Sequence, residues 1–272
     1  MNTTGLAPID EWFERLLPPT ESSLRILTDD SAVIETLVGV SRTAEAEQGT
    51  TELLCSQESL KQLERDFVTE SHASHLAAES RISFRSRTDT EPELPTLVFD
   101  GSGVTALLPV GGHEIAPLAV EAADTRQRLK RLYHSMWESG LPFTPDLPPY
   151  PAMLSLADQH LGTAVRDDFE TATEVLQQRT DGESLKPVAL VIVLGARHQT
   201  FVADIADWTE TTGLATQATV SKVKTELEEL GVVATESVPH GVGHPRQQLR
   251  FAEDSFNTLA IEELVATVQS AF

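Results

Sequence analysis

In the first half of the chain, apolar positions alternate between a period of two and a period near 3.6. Residues 23–28 (SLRILT), 51–55 (TELLC) and 81–87 (RISFRSR) read as strands. The stretches between them, 30–47 and 59–80, read as helices, the first with Val33, Leu37 and Val40 on one face. Two apolar runs, 97–100 and 104–110, flank a Gly-Ser-Gly, which signals a hairpin. Residues 121–139 read as a helix that Gly140 is expected to cap. Short strands alternating with helices predict an α/β (α+β) domain over 1–141.

Residues 142–151 (PFTPDLPPYP) hold five prolines in ten positions, which excludes helix and predicts a semi-rigid connector. Beyond it, 153–178 is largely helical in pattern, and 185–198 is an apolar helix with Pro187 in its first turn. Thr200 is placed to cap a helix over 201–212, with Val202, Ile205 and Trp208 inward, and Gly213 follows as the turn. Thr216 is placed to cap the next helix, 217–230, whose Val220, Val223, Leu227 and Leu230 face inward. After Gly231, 232–237 and 247–251 pair as strands around a Pro-Gly-rich tip, 239–245. Three helices, strand, wing, strand is the order of a winged helix-turn-helix, expected within 152–272.

The second face of the 217–230 helix carries Gln217, Ala218, Ser221, Lys222 and Thr225, side chains small or polar enough to lie in a major groove. Gln217, Ala218, Thr219 and Ser221 stand nearest the base edges, with Lys222 and Lys224 on phosphates, and the capping Thr216 is counted at the same interface. Arg246 and Arg250 share one face of the second wing strand and are expected to meet phosphates too. His240 and His244 at the wing tip lack the helical spacing that would converge two imidazoles on a metal. They are assigned to phosphate or minor-groove contact, the bland alternative being a solvated loop. Glu226, Glu228 and Glu229 would oppose DNA if they faced it, so a winged helix that docks protein is the competing reading.

Charge sharpens the contrast. The chain has 42 acidic and 20 basic residues, a net of −22, and only five of the basic residues are lysine. Residues 184–252 carry six basic and seven acidic residues, so the helix-turn-helix quarter is nearly neutral inside a strongly acidic chain. Elsewhere such a surface repels nucleic acid. The composition resembles that of proteins from salt-accumulating haloarchaea, where molar salt shortens the screening length to about 3 Å; an acidic mesophilic protein is the alternative. No apolar run reaches the ~20 residues of a membrane span. The opening segment carries Asp10, Glu11 and Glu14 with no basic stretch, so no signal peptide is expected. A single cysteine, Cys55, suits a reducing compartment, and a cytoplasmic protein is expected.

The stretch VADIADWTETTGLATQATVSKVKTELEELGVV resembles the helix-turn-helix of bacterial and archaeal winged-helix regulators. Ile205-Ala206, Gly213, Thr219-Val220-Ser221 and Leu227-Glu228-Glu229-Leu230-Gly231-Val232-Val233 fill that pattern, with about three extra residues before Gly213. LVFDGSGVTALLPV and the later YHSMWESGLPF are similar to the phospholipase-D-like effector domain of the TrmB family of archaeal sugar-responsive regulators. The order of domains resembles that of haloarchaeal TbsP-type regulators, linked to TrmB control of central carbon metabolism. The resemblance implies a phospholipase-D-like effector domain, a homodimer on double-stranded DNA and a possible small-molecule effector such as a sugar phosphate.

Enzyme chemistry finds no support. Asp100-Gly101-Ser102-Gly103-Val104-Thr105-Ala106 imitates a dinucleotide loop, but a strand rather than a helix follows the glycines. No histidine is followed two positions on by lysine, so the phospholipase signature is missing. Neither a cofactor nor a metal site is implied. Cys55 has no basic neighbour in sequence and is read as a small buried hydrophobe. Arg126, Arg128 and Lys130 cluster on one helix, where they would hold a sugar phosphate or simply make surface ion pairs.

Overall fold

A computed structural model describes residues 6–17, 23–44, 49–87, 95–101, 103–111, 113–177, 186–239 and 245–271. The chain divides into two compact units, Met1–Pro149 and Tyr150–Phe272.

In the first unit eight strands form one mixed sheet in the order β1-β7-β6-β5-β2-β3-β4-β8. They are β1 (Ala7–Pro8), β2 (Leu24–Leu27), β3 (Thr51–Cys55), β4 (Ile82–Ser86), β5 (Thr96–Asp100), β6 (Thr105–Gly111), β7 (Glu114–Ala119) and β8 (Leu141–Phe143). β2, β3 and β4 run parallel, and the remaining pairings are antiparallel. The parallel strands are joined by helices: α2 (Ser31–Thr43) after β2, then α3 (Gln57–Leu63) and α4 (Phe67–Ala78) after β3. With α1 (Ile9–Leu16) they cover one sheet face, burying Phe13, Leu37 and Leu76 against Ile26, Leu53 and Val98. The other face meets α5 (Ala123–Ser139), whose Tyr133 and Met136 pack on Leu27, Leu54, Leu97 and Phe99.

The helix expected over 59–80 is two helices. Asp66 breaks it by accepting from the backbone of Val68 and the hydroxyl of Thr69, which restarts the chain as α4. β1, α1, β7 and β8 were not anticipated; Pro8, Pro117 and Pro142 lie inside those strands and disguise them. Gly140 follows α5, but in an extended conformation (φ −67°, ψ 147°). Its need is space: a Cβ there would lie 3.0 Å from the carbonyl oxygens of both Met136 and Ser86. The proline-rich stretch expected as a connector supplies β8 on β4 and a buried Leu147, and Glu70 of α4 accepts from the Asp146 and Leu147 amides at 3.0 and 3.2 Å.

His72 of α4 is 4% exposed. Burial, then the charges of Arg42 and His75, push its imidazole down to about 3. An unfolded histidine protonates near 6.5, so between pH 6.5 and 3 only the unfolded chain takes up this proton. That contribution to stability is complete above 6.5 and is lost as pH falls toward 3. Between pH 6.5 and 5 the first unit is expected to lose roughly 1.5 kcal/mol through this group. Urea unfolding of wild type and His72→Gln at both pH values checks it; equal losses in the two proteins would remove His72 as the cause.

The second unit is helical with one ribbon: α6 (Tyr150–Leu161), α7 (Thr163–Gln177), α8 (Pro187–Arg197), α9 (Val202–Thr211), α10 (Gln217–Glu229), β9 (Val233–Val238), β10 (Arg246–Phe251), a 3-10 turn (Asp254–Thr258) and α11 (Ile261–Ala271). The helical pattern over 153–178 is divided by Gly162, at φ +93°. Nine consecutive residues of α8, Val188 to Ala196, are buried, so this helix is the axis of the unit. Asp168 of α7 takes Arg197 at 3.3 Å and His198 at 2.8 Å, and Arg197 also donates to the Leu259 carbonyl at 2.9 Å. These contacts tie α7 and the segment leading into α11 to the end of α8.

Candidate nucleic-acid interface

The turn between α9 and α10 is set by Gly213, at φ +69°, a conformation that L side chains rarely adopt. Thr216 then caps α10, its hydroxyl accepting from the Thr219 amide at 3.3 Å. Thr200 does not cap α9. Phe201 occupies that position without a side-chain cap, because the backbone there is engaged with the wing: Phe201 bridges Gln248, and Leu249 N–H donates to the Thr200 carbonyl at 2.9 Å.

Val220, Val223 and Leu227 of α10 are buried, as the pattern required. Leu230 is not: it lies past the last helical turn and is 51% exposed. On the opposite face Gln217, Ala218, Thr219, Ser221, Lys222 and Thr225 are all exposed, in the first two and a half turns of the helix. They form one face of small, hydroxyl, amide and ammonium groups at the helix end where the backbone dipole favours anions.

Lys224 does not join that face. Its side chain is 14% exposed and its ammonium sits 2.8 Å from Glu228, which also accepts from Thr235 of β9 at 2.7 Å. Partial burial raises the Glu228 carboxyl, but the hydrogen bonds from Lys224 and Thr235 outweigh it and hold the group below its ordinary range. Glu228 therefore fastens α10 to the wing, and Lys224 holds its carboxylate in place from within the helix. Lys222, 77% exposed, leans on Glu226 at 3.7 Å, and Glu226 also meets Lys186 at 3.5 Å. That second cation was not anticipated; it lies far from α10 in sequence, just before Pro187, and only the packing of α8 brings it beside the α10 acids.

The wing strands pair from Val233↔Phe251 to Val238↔Arg246. Arg246 is held over the Phe201 ring, 4.2 Å from its centroid, and bonded to Asp204 of α9. Arg250, on the same strand face, is half exposed and 3.6 Å from Glu236. His240 and His244 lie outside the described residues. The twelve residues expected at the interface thus divide. Thr216 and the six exposed α10 residues come together, Arg250 lies on the wing, and Lys224 and Arg246 brace the fold.

Replacing Lys224 by methionine should cost about 1–2 kcal/mol of stability, because Glu228 loses a charged hydrogen bond while only partly buried. Lys222→Met should leave stability within about 0.5 kcal/mol, as exposed substitutions do. Thermal unfolding of both variants distinguishes a bracing lysine from one that is free to meet a ligand.

Elsewhere chemistry is sparse. Among the described residues no three His, Cys, Asp or Glu side chains gather to hold a metal, and no helix is long and apolar enough to cross a membrane. Cys55 is fully buried, and burial pushes its thiol up, away from the reactive thiolate.

Residues 3–148 match the family model for the N-terminal domain of TbsP-like transcriptional regulators, and residues 149–269 match the model for their C-terminal HTH domain. The chain belongs to the TbsP-like transcriptional regulators. The regulators' C-terminal HTH match takes in α9, α10 and the wing. No curated protein matches the chain. Among solved structures, TrmBL2, an archaeal chromatin protein with a novel mode of DNA binding, is 12% identical with a TM-score of 0.33, over 51% of this chain and 53% of its own. The chain thus spans about half the length of TrmBL2. Nuc, a phospholipase D family member from Salmonella typhimurium, is 10% identical with a TM-score of 0.36, over 52% of this chain and 95% of its own. The Aeropyrum pernix Orc1 protein, solved in complex with DNA, is 15% identical with a TM-score of 0.21, over 88% of this chain and 67% of its own. These likenesses are remote, and the family match alone identifies the chain.

Proposed function

We propose that this TbsP-like regulator binds specific sequences in double-stranded DNA as a homodimer, laying the exposed face of α10 in the major groove. The observation that carries this reading is the composition of that face: six exposed residues from Gln217 to Thr225, none acidic. Of the three acids nearby, two are already engaged, and exposed Glu229 lies in the last turn of the helix, beyond the Gln217–Thr225 face. Glu226 lies between Lys186 and Lys222, and Glu228 is taken by Lys224 and Thr235, which weakens the electrostatic objection to DNA. Two copies would set their α10 helices in successive major grooves, roughly 34 Å apart on a pseudo-palindromic site. Lys222 and Arg250 would meet phosphates, and Thr216, Gln217, Ala218, Thr219 and Ser221 the bases.

The finer reading is a cytoplasmic regulator of central carbon metabolism in a halophilic archaeon, answering to a metabolite such as a sugar phosphate. The net charge of −22 supports a salt-rich setting. Little counterion release is available in molar salt, so affinity would fall less steeply with salt than for a basic regulator. Promoter-fragment binding in 2 M KCl by wild type and Lys222→Glu tests the placement. The variant is expected to lose about tenfold or more in affinity, since a phosphate contact becomes a repulsion. Full binding by Lys222→Glu would displace α10 from the groove. No binding to any fragment by folded wild type would favour a winged helix that docks protein.

A further inference from the structure

The first unit has an open hollow of about 610 Å³ on the α5 side of its sheet, within the size range of small-molecule sites. Its polar wall comes from three neighbouring strands: Arg25 of β2, Glu52 of β3 and Arg85 of β4. Its other wall is α5, which brings Lys130, Tyr133 and Trp137. Strand pairing and helical periodicity together aim these side chains at one opening.

The three cations are held in place by the protein, with donors to spare. Arg25 spends its Nε on Glu52 at 2.9 Å, and Lys130 spends one N–H on the Gly101 carbonyl at 2.8 Å. Arg85 donates to the Trp137 and Gly140 carbonyls at 2.7 and 3.3 Å, and its guanidinium carbon stands 5.0 Å from the Trp137 ring centroid. Tyr133 lies nearly parallel to Trp137, with centroids 5.9 Å apart, and donates to the Glu52 carbonyl at 3.1 Å. Trp137 itself remains half-buried. Three cations stand against two carboxylates, Glu52 and Glu138, in the lining, although residues 1–149 as a whole carry 24 acidic residues to 12 basic. A locally cationic hollow in an acidic unit concentrates anions there. Anchored guanidinium and ammonium donors match a phosphate, and an aromatic side chain offers an apolar surface to a ring.

We propose that this hollow binds a phosphate monoester of a ring-bearing metabolite, with the phosphate at Arg25, Arg85 and Lys130 and the ring against Trp137. The site rests on the metabolite-responsive reading above and gives it a location. Of the basic residues on α5, Lys130 serves it, whereas Arg126 turns away to the Val120 and Glu121 carbonyls.

The test is calorimetric titration of the full chain in 1 M KCl with glucose 6-phosphate, adenosine 5′-monophosphate, glucose and inorganic phosphate. One of the two esters is expected to bind saturably. Inorganic phosphate should bind at least tenfold more weakly, and glucose not at all. The Arg25→Gln/Lys130→Gln protein should lose that binding at an unchanged melting temperature, and Arg126→Gln should keep it. No saturable binding of either ester to folded wild type overturns the proposal, as does binding that survives the double substitution. Promoter affinity measured with and without the ester separates the two readings. An ester that binds here but leaves promoter affinity unchanged upholds the hollow and removes the metabolite response. An ester that shifts promoter affinity equally in the double variant upholds the response and removes the hollow.

Discussion

Ala218→Glu is expected to abolish specific DNA binding, by ~100-fold or more, while leaving the protein folded. Ala218 is exposed on the second residue of α10, so a longer side chain meets no protein core. In the bound state its carboxylate would lie between the groove floor and the phosphates, where it is desolvated and repelled. A loss of ~100-fold corresponds to about 2.7 kcal/mol, comparable to the discrimination from one good base contact. The control is Ala218→Ser, a residue small enough for the same space, which should bind within a few fold of wild type. Competition binding against a non-specific duplex, with circular dichroism to verify folding, measures both. An Ala218→Glu protein that binds like wild type would falsify the placement of this face.

Trp208→Ala is expected to have the largest effect on stability, about 3–5 kcal/mol, as for other large aromatic deletions in cores. Trp208 is fully buried in α9 and packs edge-on against Phe169 of α7, with ring centroids 5.5 Å apart. α9 also carries the Ile205 side chain into the space kept by Gly195 of α8, where a Cβ would lie only 2.5 Å from the Ile205 Cδ1. Removing the indole would leave a cavity between helices that meet this closely, and the second unit should melt earlier while the first is unaffected. Scanning calorimetry of wild type and variant reads the change; a shift below about 1 kcal/mol would mean that the site collapses around the alanine or carries little of the core.

Much of the architecture was legible because it is local. The inward Val220, Val223 and Leu227 of α10, the cap at Thr216 and the glycines at 213 and 231 all follow from side-chain period and backbone conformation, whereas Leu230, past the helix end, turns outward. Prolines concealed the two edge strands, β1 and β8, and β7 beside one of them; a strand at an edge tolerates residues that a central one does not. The ion pairs were harder. Lys224 and Glu228 are four apart on one helix and could have been paired from sequence, but Thr235 completes that link from the wing. Arg246 finds Asp204 across 42 residues of chain. The hollow beside α5 was concealed for a different reason. Arg25, Glu52 and Arg85 are single charges in three apolar strands, and only the register Arg25↔Glu52 and the order β2-β3-β4 bring them together.

The most direct test of the central claim is selection of duplexes from a random-sequence library by the full chain in 2 M KCl, with Ala218→Glu run in parallel. Wild type should enrich one recurring motif with two related halves about one helical turn apart, and Ala218→Glu should enrich none. Recovery of sequences without preference by folded wild type, or the same motif from both proteins, would contradict recognition through α10.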